Sequence, residues 1–174
     1  MIMKKYIDFD GVFIDSETHL FDGFQYAYKN GWVRNHREYL ENMDWYRYLR
    51  KCNIIKDSLE YLKSDKNSQL LGKVLSQQEE DAKTKILKEV GYDGTPIFIH
   101  ADLTKSSAVD PRGNLLVDDT VHNLDDWDKK EGYCLYFHKD GIQKDPWDNI
   151  NTKYKTTKTL KLLYNIDESF FRQD

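Results

Sequence analysis

The chain has 174 residues and a formal net charge of -4, from 30 acidic and 26 basic side chains. This length suits one domain with a small insert, and the net negative charge gives no chain-wide footprint for nucleic acid. No apolar stretch approaches the roughly 20 residues that cross a bilayer, and charge interrupts the N-terminus before a signal-peptide core can form.

Five short apolar runs, each with polar or turn-forming residues near its ends, predict buried strands. They span residues 6–9, 73–76, 97–100, 115–118 and 134–137. Helical patterns lie between or after them, at residues 77–90, 123–130 and 153–164. This alternation predicts an α/β protein with a Rossmann-like parallel sheet of about five strands and helices on both faces.

Residues 18–66 have a mostly helical pattern, are rich in aromatic side chains and lie where a simple crossover needs only one helix. We therefore predict a helical cap of two or three helices inserted after the first strand, with a catalytic core at 1–17 and 67–174. Most of the aromatic rings are explained by packing within the cap. Trp32, Trp45 and Tyr46 are the candidates for stacking on a nucleobase or another flat group of a substrate.

Acidic, hydroxyl and basic side chains recur at predicted strand ends and in the loops that follow. In chain order they are Asp8-Phe9-Asp10-Gly11-Val12, Ser76, Lys105 and Asp118-Asp119. Ligands of open parallel sheets bind outside the carboxyl ends of the strands, where such side chains converge. Carboxylates there suit Mg²⁺, a hydroxyl at a helix start suits an anion, and a lysine neutralises a phosphoryl oxygen.

Each of these pieces, taken alone, also has a simpler explanation. The aspartate pair fits an acidic turn, Ser76 fits a helix cap, Lys105 fits a solvated charge, and Asp118-Asp119 fits a helix N-terminus. Val12 stands where a calcium-binding EF-hand loop needs a ligand. Bacterial receiver domains place their acid pair early and their lysine late, whereas here the acid pair comes last. The joint order favours phosphoryl chemistry.

This order resembles that of the haloacid dehalogenase-like (HAD) superfamily of phosphohydrolases, over roughly residues 4–137. The segments similar to its four motifs are Asp8-Phe9-Asp10-Gly11-Val12, Val74-Leu75-Ser76, Lys105 and Leu116-Val117-Asp118-Asp119. The placement of the helical insert also resembles a family cap. Within the superfamily, Asp118-Asp119-Thr120-Val121-His122-Asn123 resembles the corresponding tail of the small 5′(3′)-deoxyribonucleotidase group.

The resemblance implies a Mg²⁺-dependent phosphohydrolase that cleaves a small phosphate monoester, for example a nucleoside monophosphate. Asp8 would attack phosphorus to give an aspartyl-phosphate, and Asp10 would protonate the leaving oxygen and then activate water. Ser76 and Lys105 would bind the phosphoryl oxygens. The implied metal ligands are Asp8, the backbone carbonyl of Asp10, Asp118, and Asp119 either through water or as a support for the other ligands.

Two alternatives remain open at this point: a phosphatase acting on nucleic-acid ends, which the net charge disfavours, and a non-catalytic binding protein with the same fold. The expected partner is a small phosphorylated substrate, with no membrane, and nucleic acid is disfavoured. Cys52 and Cys134 lie far apart without metal-like spacing, which predicts reduced thiols in a cytoplasmic protein and makes a disulfide the weaker alternative. The sequence defines neither the substrate nor the oligomeric state.

Overall fold

The computed structural model describes residues 2–140 and 153–172. It contains a parallel sheet of six strands in the order β3-β2-β1-β4-β5-β6. The strands are β1 (Lys5–Ile7), β2 (Ser68–Val74), β3 (Ile97–His100), β4 (Leu115–Asp118), β5 (Tyr133–Phe137) and β6 (Lys155–Thr157). From β1 the chain adds β2 and β3 on one side of the sheet, and it then returns to add β4, β5 and β6 on the other side. The strand order therefore reverses between the neighbouring central strands β1 and β4, which form the switch point of the sheet.

Helices connect the strands. They are α1 (Leu20–Lys29), α2 (His36–Asn42), α3 (Trp45–Leu49), α4 (Ser58–Ser64), α5 (Gln77–Glu89), α6 (Val121–Lys129) and α7 (Glu168–Phe171). Short 3-10 turns span Lys105–Ser107 and Leu160–Asn165. None of the helices within the described residues is long and apolar enough to cross a membrane, and Cys52 and Cys134 are free thiols, as predicted.

The core lies on both faces of the sheet because successive strand residues point to opposite sides. Ile7 packs with Leu70 and Val117 on one face. Tyr6 packs on the other face with Trp127 of α6, ring centroids 5.7 Å apart. Each fully buried aliphatic or aromatic side chain contributes about 1.5–3 kcal/mol of transfer free energy, so burial on two faces fixes the central strands firmly.

The predicted α/β class and parallel sheet are confirmed, and several bounds differ. The sheet has six strands where about five were predicted. The first strand ends at Ile7, two residues earlier than predicted. The second begins at Ser68, five residues before the predicted start, because it pairs with β1 from that residue onward.

The predicted helix at residues 153–164 is wrong. That stretch holds β6, which pairs in parallel with β5, and most of the 3-10 turn Leu160–Asn165. Thr156 and Thr157 are β-branched and suit the exposed edge of β5. The spacing of Leu160 and Leu163, both buried, matches the three-residue period of a 3-10 turn.

Residues 18–66 contain four short helices, α1 to α4, where two or three were predicted. Trp45 and Leu49 bury α3 against α5, and α4 packs against the 3-10 turn Leu160–Asn165. The division between a core and a cap at residues 18 and 66 stays a prediction.

Candidate active site

Three acidic side chains cluster at the carboxyl ends of β1 and β4, where the strand order reverses. Ile7 is in register with Val117, and the backbone N–H of Asp8 donates to the carbonyl of Val117 at 3.0 Å, so Asp8 lies beside Asp118. One carboxylate oxygen each from Asp8, Asp118 and Asp119 lie within 4.8 Å of one another. A switch point between central parallel strands is where such folds bind ligands.

Lys105 binds this acidic group from the 3-10 turn after β3. Its Nζ lies 2.7 Å from Asp8 Oδ1 and 2.7 Å from Asp118 Oδ2, and all three side chains are buried. Burial disfavours the ammonium, but Asp118 and Asp8 outweigh that effect and raise the pKa of Lys105. One lysine therefore balances part of the charge of three carboxylates.

The remaining negative charge perturbs the acids themselves. Burial and the neighbouring Asp118 raise the pKa of Asp8 to about 7, and Lys105 opposes the shift. Burial and Asp8 also raise the pKa of Asp119. Such shifts arise where carboxylates share a site without enough positive charge. The three oxygen donors are the ligand type that hard divalent cations prefer.

Backbone and side-chain donors at the start of α6 orient Asp118. The N–H of Thr120 donates to Asp118 Oδ1 at 2.9 Å, and Asn123 Nδ2 donates to Asp118 Oδ2 at 3.1 Å. The hydroxyl of Thr120 donates to Asp119 Oδ1 at 3.3 Å. The apolar strand β4 thus places both acids at the carboxyl ends of the central strands, and the turn into α6 fixes their side chains by hydrogen bonds.

Gly11 leaves room for Asp119. Its φ is +79°, and a Cβ at this position would lie 1.9 Å from Asp119 Oδ2. We expect Gly11→Ala to lower the free energy of unfolding by about 1–3 kcal/mol from backbone strain alone, and to displace Asp119 as well. Urea denaturation and metal titration would measure the two effects.

Gly113→Ala is the matched control, because Gly113 has a φ of +72° with nothing within 4 Å of a Cβ. The control should lower the free energy of unfolding through backbone strain and leave metal affinity unchanged. Equal metal affinity in both variants would contradict the contact between position 11 and Asp119.

The carboxylate of Asp10 is held by partners outside the three-acid group. Its Oδ1 accepts from Ser16 Oγ at 2.6 Å, and its Oδ2 lies 2.7 Å from the Nζ of Lys83 in α5. The Asp10 side chain is not among the three that cluster. Only its backbone carbonyl is left for the metal role expected from the sequence.

Ser76 caps α5, because its Oγ accepts from the backbone N–H of Glu79 at 3.1 Å. This is the simpler explanation considered for that residue. A hydroxyl that accepts one hydrogen bond still carries a proton that it can donate. Capping the helix and binding a phosphoryl oxygen are therefore compatible roles for Ser76.

A cavity of about 350 Å³ lies next to Asp10, lined by Phe21, His36 and Trp45 from α1, α2 and α3. Of the three predicted specificity residues, Trp45 lines this cavity. Trp32 is 65% exposed and packs on Tyr26 with ring centroids 5.4 Å apart.

Tyr46, the third of these residues, donates to Glu89 at 2.5 Å and does not line the cavity. Phe21 and His36 do line it and were not predicted.

Comparison with solved structures identifies the fold. No family model and no curated protein matches the chain. YfnB of Bacillus subtilis, described as an HAD-hydrolase bound to magnesium, superposes with a TM-score of 0.57 at 12% identity, over 94% of this chain and 99% of that one. The haloacid dehalogenase-like protein SP0104 of Streptococcus pneumoniae gives 0.59 at 13% identity, over 94% and 97%. A hydrolase from Pseudomonas syringae gives 0.61 at 10%, over 95% and 100%.

The chain therefore has the fold of the haloacid dehalogenase-like hydrolases, as its motif order led us to expect. The strand ends and the loops after them bring Asp8, Lys105, Asp118 and Asp119 together at the switch point of that fold. The closer resemblance to the deoxyribonucleotidase group stays a prediction.

Proposed function

We propose that this protein is a metal-dependent phosphatase that hydrolyses a small phosphate monoester through an aspartyl-phosphate on Asp8. The observation that carries the proposal is the buried group at the switch point. Asp8 lies 2.7 Å from the ammonium of Lys105, and its carboxylate clusters with those of Asp118 and Asp119. Phosphoryl transfer depends mainly on positioning and charge neutralisation, and this group offers both.

The proposed chemistry has two steps. In the first, an oxygen of Asp8 bonds to phosphorus as the bond to the leaving oxygen breaks, and Asp10 gives that oxygen a proton. In the second, Asp10 takes a proton from water, the water oxygen bonds to phosphorus, and the bond to Asp8 breaks to release phosphate. Asp10 Oδ2 lies 2.7 Å from the Nζ of Lys83, a contact that would hold the carboxyl group in place through both steps.

Mg²⁺ is the cofactor that we propose for the acidic group. Asp8, Asp118 and Asp119 offer carboxylate oxygens, and the backbone carbonyl of Asp10 follows two residues after Asp8. All are hard oxygen donors, with no sulfur or imidazole ligand in the group. The bound ion would supply positive charge for the phosphoryl oxygens. Lys105 and Ser76 would bind and orient the same oxygens.

Magnesium should stabilise the folded protein, because it relieves repulsion among the three acids. At a concentration about 100 times its dissociation constant, we expect an increase in the free energy of unfolding of about 2.7 kcal/mol. Urea denaturation with Mg²⁺ and with a chelator would measure it. Asp118→Asn should lose most of the effect, whereas Asp81→Asn, at an exposed position of α5, should keep it. Stabilisation that survives Asp118→Asn would place the ion elsewhere.

The leaving group that we propose is flat, and a nucleoside monophosphate is the first substrate to test. The rings of Phe21, His36 and Trp45 line the cavity beside Asp10, where the leaving oxygen would emerge. Aromatic side chains bind planar groups by stacking or edge contacts.

The free thiols of Cys52 and Cys134 support a reducing compartment, and we propose the cytoplasm.

Phosphate release with Mg²⁺ tests this function. The panel should compare nucleoside monophosphates, sugar phosphates, phosphorylated cofactors and 5′-phosphorylated oligonucleotides. We expect a preference for nucleotides over sugar phosphates of similar size. Salt-dependent activity confined to the oligonucleotides would favour a nucleic-acid-end phosphatase. No release from any ester would favour a non-catalytic binding protein.

A further inference from the structure

We propose that Lys83 is a positioning residue that holds the carboxylate of Asp10 in the orientation needed for proton transfer. The inference rests on the function proposed above, in which Asp10 exchanges protons with the leaving oxygen and with water.

Lys83 makes three contacts at full burial. Its side chain is 0% exposed, and Nζ lies 2.7 Å from Asp10 Oδ2, 2.6 Å from Glu79 Oε2 and 3.2 Å from the carbonyl oxygen of Lys73. An ammonium has three protons to donate, so this environment satisfies all of them. The ammonium therefore has one well-defined position inside the protein.

Two rings confine the same ammonium. The ring centroid of Phe9 lies 5.1 Å from the Nζ of Lys83, and that of Trp45 lies 5.3 Å away. Both distances are within the range of cation–π attraction. Phe9 stands between Asp8 and Asp10 in the sequence, so Lys83 contacts both the side chain of Asp10 and the residue before it.

Ser16 fixes the other oxygen of Asp10. Its buried hydroxyl donates to Oδ1 at 2.6 Å, and Tyr48 of α3 donates to the backbone carbonyl of Ser16. Both carboxylate oxygens thus have donors on separate elements, one on α5 and one in the segment before α1. The side chain of Asp10 is still 24% exposed and borders the cavity, so a substrate can reach it.

Packing alone does not explain this arrangement. Removing a lysine and a glutamate from water costs several kcal/mol, and an apolar pair of similar volume often stabilises a core equally well or better. Glu79 is buried and also accepts from the backbone N–H of Leu75 at 3.0 Å. What the buried charges add is a fixed position for the carboxylate of Asp10, a residue that lines the cavity.

Because Lys83 is fully buried, it cannot touch a substrate. Its loss should therefore lower kcat and leave the dissociation constants of substrate and Mg²⁺ unchanged. A misplaced reacting group typically costs about 10²-fold in rate. p-Nitrophenyl phosphate separates the two steps, because its leaving group needs no proton. With this substrate only the second step depends on Asp10, so the aspartyl-phosphate should accumulate in the variant.

The test uses Lys83→Met combined with Glu79→Gln, which avoids leaving a buried carboxylate unpaired. We expect kcat about 10²-fold below wild type, an unchanged kcat/KM because the first step is intact, and a burst approaching one p-nitrophenol per protein. Lys5→Met is the matched control: Lys5 is also largely buried and lies 2.8 Å from Asp65, at the opposite end of β1. It should lose stability and keep wild-type kinetics without a burst.

Lys83→Gln is the second variant and carries the test if the double variant fails to fold. It keeps an amide donor towards Asp10, and we expect a smaller loss of kcat with the same unchanged kcat/KM. Either folded variant would overturn the inference by keeping kcat within threefold of wild type. Parallel loss of kcat/KM and Mg²⁺ affinity would show a purely structural role. An inactive wild type would instead overturn the proposed function.

Discussion

Asp8→Asn is expected to lower phosphate release by about 10⁴-fold or more while the protein stays folded, as is typical when a nucleophile is removed. The amide has nearly the shape of the carboxylate but no anionic oxygen to attack phosphorus. Lys105 keeps its second carboxylate partner, Asp118, at 2.7 Å, so its charge remains balanced. Phosphate release with saturating Mg²⁺ would measure the loss, and urea denaturation would verify the fold.

Asp102→Asn is the control for this variant. Asp102 lies on the surface, where both its oxygens accept from Arg37 at 3.2 Å, and it is no part of the acidic group. Its substitution should leave turnover unchanged. Normal turnover by Asp8→Asn would remove Asp8 as the nucleophile and leave the fold assignment standing.

Lys105→Met should give the largest loss of stability, about 3–5 kcal/mol in the absence of metal. The substitution leaves Asp8 and Asp118 buried beside each other without the ammonium that binds both, and removing one partner of a buried ion pair typically costs that much. Urea denaturation in a chelating buffer would measure the change. Mg²⁺ should restore part of it, because the ion replaces the missing positive charge.

Arg112→Met provides the comparison for an exposed ion pair. Arg112 and Glu131 lie 3.0 Å apart, with side chains 75% and 71% exposed, and water screens such pairs strongly. The free energy of unfolding of Arg112→Met should therefore be close to that of the wild type. If Lys105→Met were as stable as Arg112→Met without metal, the three carboxylates could not be sharing the site as ionised groups.

The central strands and the acids at their ends could be predicted because each is encoded by residues that are adjacent in the sequence. A buried strand of a parallel sheet is a short apolar run, and Asp8 and Asp118 stand at or just after such runs. The order of the pieces then indicated the fold. The same locality explains the error at 153–164, where the threonines of β6 pair with β5, a contact that no pattern within the segment encodes.

The surroundings of Asp10 could not be predicted for a related reason. Glu79 and Lys83 have the four-residue spacing of an ordinary exposed ion pair on a helix, and the packing of α5 against α3, Phe9 and β2 buries the pair. Phe21 and His36 likewise reach the cavity through the arrangement of α1 and α2. Among the pieces of the site, their positions depend most on contacts distant in sequence.

The ammonium of Lys105 within the acidic group has a consequence for how the protein would acquire its metal. Because Lys105 already bridges Asp8 and Asp118, the two strands that carry them do not need an ion to stay side by side. If the site takes up a cation as proposed, we expect the protein to fold before the cation binds and to stay folded when the cation dissociates. The active fraction in a cell would then follow the concentration of free divalent cation, while the total amount of protein would not.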